Sequence, residues 1–265
     1  MLRTFSRVRG TIYGPVRSRR FGSSLGLNLF PGTAKICSFE CPYCQLGNAE
    51  ISFETAEKTD LPGPEEIAKD LAEALTEMAS TVRDLNCLTF SGNGEPTAHP
   101  RFPEIVNAVR EMRNRMVPLA RIVVLTNGAH LDRPGMIDAL NACDDVVAKI
   151  DAGTEETFRG VNQPAKSVTL SGIVSRLRSL HRVVVQTMFV TGEVDNTTEA
   201  EIDAWLGHLR SIRPAAIQIY TLDRVPADRS VLPVEPERLR EIARRVREEC
   251  GLEPTLSLPT ESKGA

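Results

Sequence analysis

Aromatic residues are scarce in this 265-residue chain: nine Phe, three Tyr and one Trp, 5% in all. Unpaired bases are usually held by stacking on rings, so a broad nucleic-acid-binding surface is not expected. No uncharged apolar run approaches the ~20 residues of a transmembrane helix, and no membrane association is expected. The first 20 residues lack the apolar stretch of a secretory signal. There is no internal repeat, and no Pro/Gly/Ser linker long enough to separate domains. With 41% hydrophobic and 25% charged residues, the composition excludes collagenous, low-complexity and wholly disordered chains. Cysteine is also sparse, at six residues, and three of them fall within eight positions. A secreted disulfide scaffold would be shorter and would spread its cysteines. A cluster of free thiols suits a reducing compartment, so the cytoplasm is the expected location.

Acidic residues are missing from one end. Residues 1–20 carry six Arg and no Asp or Glu. Set against the net charge of −3, this leaves −9 for the other 245 residues. An Arg-rich, acid-free start is one mark of a mitochondrial transit peptide, but Gly10, Gly14 and Pro15 break the amphipathic helix such a peptide forms. Residues 1–24 are read as a basic arm. Through Arg17, Arg19 and Arg20 it can meet tRNA or another anionic substrate, or else pair with acids of the body.

Six short aliphatic runs predict strands at Leu25–Leu29, Cys87–Phe90, Arg121–Leu125, Val146–Ile150, Val183–Phe189 and Ala216–Tyr220. After a long first interval their ends lie 25–39 residues apart, and a βαβ unit takes about 30 residues or more. Helical stripes fill the gaps. Ile67, Leu71, Leu75 and Met78 mark a helix over 64–80; Ile105, Val109, Met112 and Met116 mark one over 102–116. Further helices are predicted over 168–180, over 198–212 with a Thr198/Glu201 capping box, and over 235–250 ending at Gly251. The tail 254–265 is expected frayed or extended. Six units are too few for a closed eight-stranded barrel. The expected fold is α/β, a partial (β/α)6 barrel of parallel strands over 25–225, followed by a C-terminal helix and tail over 226–265. Ligands in such folds sit at the C-terminal ends of the strands.

The first interval holds Cys37-Ser-Phe-Glu-Cys41-Pro-Tyr-Cys44. A structural zinc site normally uses four N/S ligands in paired units. The second pair is absent here, and His99 is the one candidate for a fourth ligand. Three thiolates suit an iron–sulfur cluster with one iron left open to an exogenous ligand. Cys87, Cys143 and Cys250 have no ligand spacing and are read as small core residues.

The C-x3-C-x2-C spacing, with Tyr43 before the last Cys, resembles the signature of the radical S-adenosylmethionine (SAM) superfamily. The resemblance implies a [4Fe–4S] cluster on Cys37, Cys41 and Cys44, with the amine and carboxylate of SAM on the fourth iron. It implies reductive cleavage of SAM to methionine and a 5′-deoxyadenosyl radical that abstracts hydrogen from a substrate. A flavodoxin- or ferredoxin-type electron donor is implied with it. Gly94-Glu95, within Ser91-Gly-Asn93-Gly94-Glu95, resembles the end of the superfamily's Gly-Gly-Glu motif, with Asn93 where a first Gly is common. Gly allows close backbone approach and Glu supplies acceptors for an ammonium group. Asn127, ending the third strand, can donate to a ribose or carboxylate, or simply belong to a turn. Lys149 and Asp151 lie two apart on one strand face. The resemblance points Lys149 to the SAM carboxylate and Asp151 to the ribose; the alternative is a structural ion pair. Gln186 is a donor for SAM or substrate, and Tyr220 closes the pocket near the adenine.

A longer stretch resembles a narrower group of small radical SAM proteins placed with wyosine tRNA synthases. It comprises Gly14-Pro-Val-Arg17-Ser-Arg19-Arg20, Gln45-Leu-Gly47, Phe90–Thr97 and Lys149-Ile-Asp-Ala-Gly153. Wyosine synthases carry extra N-terminal cysteines for a second cluster, and no Cys precedes Cys37. One cluster is therefore expected. Three functions stay open at this point: a radical enzyme on a nucleotide or tRNA, a glycyl-radical activase or other peptide-modifying radical enzyme, and a non-enzymatic metal-binding module.

Overall fold

The computed structural model describes residues 7–18, 20–32, 34–49, 51–52, 56, 59–78, 84–226 and 228–258. In chain order, β1 (Ile12–Ser18) and β2 (Gly22–Leu27) form an antiparallel hairpin. Two-residue strands β3 (Ile36–Cys37) and β4 (Ile51–Ser52) pair beside the cysteine loop. Then come α1 (Pro64–Glu77), β5 (Cys87–Phe90), a 3-10 turn (Pro96–Ala98), α2 (Phe102–Met116) and β6 (Arg121–Thr126). They are followed by α3 (Met136–Asn141), β7 (Asp145–Lys149), α4 (Glu155–Val161), α5 (Leu170–Leu177) and β8 (Val183–Met188). The chain continues through β9 (Val190–Gly192), α6 (Glu199–Ile212), β10 (Ala216–Tyr220), β11 (Val231–Pro233), α7 (Pro236–Cys250) and β12 (Thr255–Ser257).

The main sheet has eight strands in the order β1-β2-β5-β6-β7-β8-β10-β12, curled into a half-barrel. All its pairs are parallel except β1–β2. The six predicted strands form its centre in sequence order. Both edges differ from expectation. Residues 12–18, read as part of an arm, are an edge strand, and three residues of the supposed tail are the other edge. Gly14 and Pro15 read as turn signals, yet they lie where β1 bulges between Tyr13 and Val16, and an edge tolerates both features. Arg19 and residues 259–265 lie outside the described residues.

The helices follow from capping and from one apolar face each. Thr154, Thr169 and Thr198 accept from the N–H groups of Thr157, Gly172 and Glu201 at the starts of α4, α5 and α6. The predicted capping box forms only in half. Glu201 turns its carboxylate to Gly153 N (2.8 Å) and Thr154 Oγ1 (2.5 Å), tying α6 to the end of β7 instead. Helix α7 ends at Gly251 in the left-handed region (φ 68°). Helices α3 and α4, of six and seven residues, are too short to show a stripe and have no counterpart among the helices predicted from sequence.

Alternation divides the central strands. Leu88, Phe90, Ile122, Val124, Val146, Ala148, Val185, Ile217 and Ile219 pack against the helices in the main core. On the other face, the first positions are apolar: Cys87, Val123, Val147 and Val184 form a second small core with Leu125 and Ala216. One step further along, Lys149, Gln186 and Gln218 stand side by side in register, and Met188 and Tyr220 follow. The inner face thus turns from apolar to polar towards the C-terminal strand ends. This change of character fixes where ligand chemistry can occur. Cys87 is buried as expected, but Cys143 and Cys250 are only half-buried, packed at the margin of the main core.

Candidate functional site

The cysteine loop crosses the C-terminal ends of the strands and is fastened at several points. Ile36 N donates to Asn93 O (3.1 Å), and Glu95 N donates to Ile36 O (2.9 Å). Gly94 lies between them with φ of +150°, and a Cβ there would stand 1.8 Å from the Ile36 carbonyl oxygen. Glycine is required because the loop's backbone occupies the side-chain space. Lys35, 2% exposed, donates from Nζ to the carbonyls of Phe39 (3.2 Å) and Gly47 (2.7 Å) and lies 3.7 Å from Glu40. Glu40 in turn accepts from Ala49 N (2.9 Å). Lys35 was missed by sequence reasoning, although a lone lysine beside Ile36 and ahead of the first cysteine is a visible signal.

Cys37, Cys41 and Cys44 are all free thiols, half-buried on this one loop. Two asparagines reach their sulfurs. Asn127 Nδ2 is 3.7 Å from Cys37 Sγ and donates to Ser38 Oγ (3.0 Å). Asn162 Nδ2 is 3.6 Å from Cys41 Sγ and also reaches Tyr43 Oη (3.1 Å) and Asp151 Oδ2 (2.8 Å). Phe39 N adds a third contact, 3.4 Å from Cys37 Sγ. Asn162 carries no motif spacing to the cysteines; only the fold brings it across 121 residues.

Asp151, 1% exposed, is the hub of a buried polar chain. It accepts from Tyr43 Oη (2.5 Å) and Met188 N (2.8 Å) and pairs with Lys149 Nζ (3.0 Å). Lys149 also donates to Tyr220 Oη (2.7 Å) and lies over both the Tyr43 and Tyr220 rings. Tyr220 donates to Gln186 Oε1 (3.1 Å), whose Nε2 donates to Gln218 Oε1 (2.7 Å). Of the residues singled out in the sequence, Tyr43, Lys149, Asp151, Gln186 and Tyr220 therefore meet in one network beside Cys41. Gln218 completes it and was not singled out.

The Asn93–Glu95 segment sits differently. Asn93 is fully buried, and its amide holds the carbonyls of Val8 (2.6 Å) and Phe30 (2.9 Å). Glu95, 3% exposed, spends its carboxylate on Thr97 Oγ1 (2.6 Å), Thr126 Oγ1 (2.7 Å) and Asn127 N (2.7 Å). Neither side chain is aimed at open space. Asn93 anchors the N-terminal segment, and Glu95 sets the position of Asn127. Oε1 takes the Thr97 and Thr126 donors and Oε2 takes Asn127 N, so the carboxylate is engaged within the protein.

Burial governs the ionisation of the site. It pushes the Cys37 thiol far above its ordinary value, with Lys35 acting in the opposite sense. It pushes Cys41 up to about 11, against hydrogen bonds from Tyr43 and Asn162. Tyr43 is raised by burial and by the Asp151 carboxylate. For Lys149 burial is the largest influence and alone would lower the value, but Asp151 and Tyr220, through charge and hydrogen bonds together, outweigh it and hold the ammonium above the usual range. Lys149 therefore keeps its ammonium beside Asp151, and burial favours the protonated thiol at Cys37 and Cys41 until a bound cation displaces the protons.

The donor set discriminates between the two metal readings. Among the described residues, no three His, Cys, Asp or Glu groups converge on a single-ion site. His99 is buried in the 3-10 turn region, packed on Phe30 at 6.0 Å with Nδ1 accepting from Arg101 N. Three thiols on one loop, with N–H donors at two sulfurs, fit an iron–sulfur cluster with one open iron.

Beside the network opens a cavity of about 370 Å³. Tyr43, Met188 and Tyr220 form its inner wall, and Arg17, Arg20 and Arg224 line its mouth. Among the described residues, no helix is long and apolar enough to cross a membrane.

A parallel α/β half-barrel that closes a three-cysteine loop over its C-terminal strand ends defines the class of cluster-bearing barrel proteins. The chain belongs to the radical SAM superfamily, whose family model matches residues 33–205. Within it the chain is 30% identical over 214 residues to a UPF0026 protein of Synechocystis sp., covering 78% of this chain and 74% of that protein. It is 28% identical over 249 residues to a protein named GTPase Obg from Brachyspira hyodysenteriae; this covers 91% of the chain but only 34% of that longer protein. Among solved structures, a radical SAM methyltransferase from Sphaerobacter thermophilus shares the fold with a TM-score of 0.66 at 16% identity, over 91% of this chain and 67% of that one. TYW1 with a lysine-pyruvate adduct bound matches with a TM-score of 0.57 at 13% identity, over 85% and 73%.

Proposed function

We propose that this protein is a single-cluster radical SAM enzyme that abstracts hydrogen from an anionic substrate of nucleotide or tRNA chemistry. The observation that carries the reading is the cysteine loop joined through Tyr43 to the Asp151–Lys149–Tyr220 network at the wall of the cavity. Cys37, Cys41 and Cys44 would hold three irons of a [4Fe–4S] cluster, and SAM would lie between the cluster and the polar strand ends. When both are bound, and one electron arrives from a flavodoxin- or ferredoxin-type donor, they supply a 5′-deoxyadenosyl radical. The chain's own residues do the rest. Asn127 and Asn162 present N–H groups to the cysteine sulfurs and hold the ligands in place. Lys149 and Asp151 keep a charged pair at the inner wall, which orients a polar cosubstrate and fixes Tyr43 and Tyr220. The mouth arginines draw in an anion. The likeness to wyosine tRNA synthases in the motif residues supports a substrate of nucleic-acid chemistry.

The test is anaerobic reconstitution with iron and sulfide, followed by SAM and a low-potential reductant. The expected product is 5′-deoxyadenosine, and Cys41→Ala is expected to lose both the oxygen-sensitive brown absorbance and SAM cleavage. Full cleavage by that variant, or none by a wild-type protein carrying intact cluster, would overturn the reading.

A further inference from the structure

We propose that Arg17, Arg20 and Arg224 form a recognition site for the phosphate of a small phosphorylated substrate. The inference deepens the radical SAM reading and rests on it for the word substrate. The three guanidiniums come from distant stretches of the chain: a pair from the β1–β2 hairpin and one from the loop after β10. They meet only because β1 caps one side of the half-barrel mouth. All three line the same cavity, and all are exposed. Arg20 lies over the Tyr220 ring at 5.0 Å, and Arg224 Nη1 donates to Gln45 Oε1 at 3.2 Å. Two of the three are thus held in place by neutral partners, with charge to spare.

Among the described residues, none of the three pairs with a carboxylate. The contrast with α7 is informative. There, Arg238, Arg240, Arg244, Arg245 and Arg247 are each matched to a glutamate at 2.6–3.0 Å, four of them within the helix and Arg247 to Glu253 just beyond it. At the mouth, among the described residues, the lining holds one acid, Asp223, and three arginines. Exposed arginines gathered at a concave surface, with no carboxylate partner among the described residues, form a positive patch that an anion can enter. The planar fork of guanidinium matches phosphate oxygens in pairs.

Size and surroundings favour a small molecule over RNA. A cavity of about 370 Å³ falls within the range of roughly 300–1,000 Å³ typical of small-ligand sites. An RNA surface would extend the charge along a stripe and interleave aromatic rings. Here the described arginines converge on one mouth, and the chain's net charge is −3. The inner wall places Tyr220, and behind it Lys149, between the anion site and the cysteine loop. A ligand held by its phosphate at the arginines would extend inward towards the cluster.

The test uses the reconstituted holoenzyme with saturating SAM, with inorganic pyrophosphate as the probe and unfractionated tRNA as the comparison. Titration calorimetry should show pyrophosphate binding without displacement of SAM. The combined Arg17→Gln, Arg20→Gln, Arg224→Gln protein should bind it at least tenfold more weakly. Arg240→Gln, a change of the same charge on α7, should bind as wild type. The single Arg224→Gln variant should weaken binding on its own, so that a folding failure of the triple variant leaves the test intact. Binding of tRNA without pyrophosphate would overturn the small-phosphate assignment. So would competition between pyrophosphate and SAM, equal binding by the variants, equal loss in Arg240→Gln, or no binding at all. Deoxyadenosine formation by the wild type is read separately. If it occurs while pyrophosphate is ignored, the phosphate site fails and the radical SAM reading stands. If it fails while the arginines bind pyrophosphate, the converse holds.

Discussion

At the scale of single residues, the site shows how burial decides what a polar side chain can do. Asp151 accepts from three donors and pairs with an ammonium while only 1% exposed, so removing one partner leaves another without solvent to replace it. The same reasoning gives a pH dependence at His99, which lies outside the site. Its ring is buried, and burial, reinforced by nearby Arg101 and Arg133, lowers its pKa to about 4. His130 is lowered to about 4 by burial as well. An unfolded histidine binds its proton near pH 6.5, so between about pH 6.5 and 4 the unfolded chain holds more protons than the folded one. Stability from neutral imidazole is therefore complete above pH 6.5 and lost as pH falls towards 4. The full loss is up to about 3 kcal/mol per histidine. His99→Asn keeps an acceptor for Arg101 N but does not titrate. Its urea midpoint should fall less steeply than wild type between pH 7 and 5, and parallel slopes would contradict the assignment.

At the scale of elements, the cysteine loop is positioned by contacts that its own sequence does not advertise. The spacing of Cys37, Cys41 and Cys44 marked the candidate ligands, because thiol spacing is a local property. The spacing does not reveal that Gly94 must lack a side chain for β3 to lie where it does. Gly94→Ala puts a methyl group into the Ile36 carbonyl and strains a φ of +150°. We expect it to cost more than about 2 kcal/mol and to lower the iron bound on reconstitution, measured by urea denaturation and iron assay. Wild-type values for both would show that the loop has another fastening. The Gly-Asn-Gly-Glu run was legible as a turn of close backbone approach, but the contacts within it were not. Glu95 bonds Thr97, Thr126 and Asn127, partners that sequence does not reveal because a turn lacks the regular alternation of a strand. Lys149 ends β7 and Asp151 lies two residues on, past the strand; their side chains meet in an ion pair at 3.0 Å, the alternative the sequence reading left open.

At the scale of the whole molecule, β1 decides more than its seven residues suggest. It closes one edge of the half-barrel, and Tyr13 packs its ring over Gly26 while its hydroxyl lies 2.6 Å from Ser91 Oγ. It also carries Arg17 to the mouth of the cavity. A protein lacking residues 1–20 leaves β2 as an open edge with unpaired backbone groups. It should self-associate on size-exclusion chromatography and melt well below the full chain. A monomer melting within a few degrees of wild type would show that the strand is dispensable. The sequence by itself determined the parallel order of six central strands, the amphipathic helices between them and the gathering of three cysteines on one loop, because periodicity, capping and thiol spacing all act over a few residues. The tertiary structure alone decided that the basic segment is a sheet edge, that Asn127 and Asn162 serve the cysteines, and that three arginines share one mouth. Those are pairings across tens to hundreds of residues, and they exist only after the strands have stacked in register.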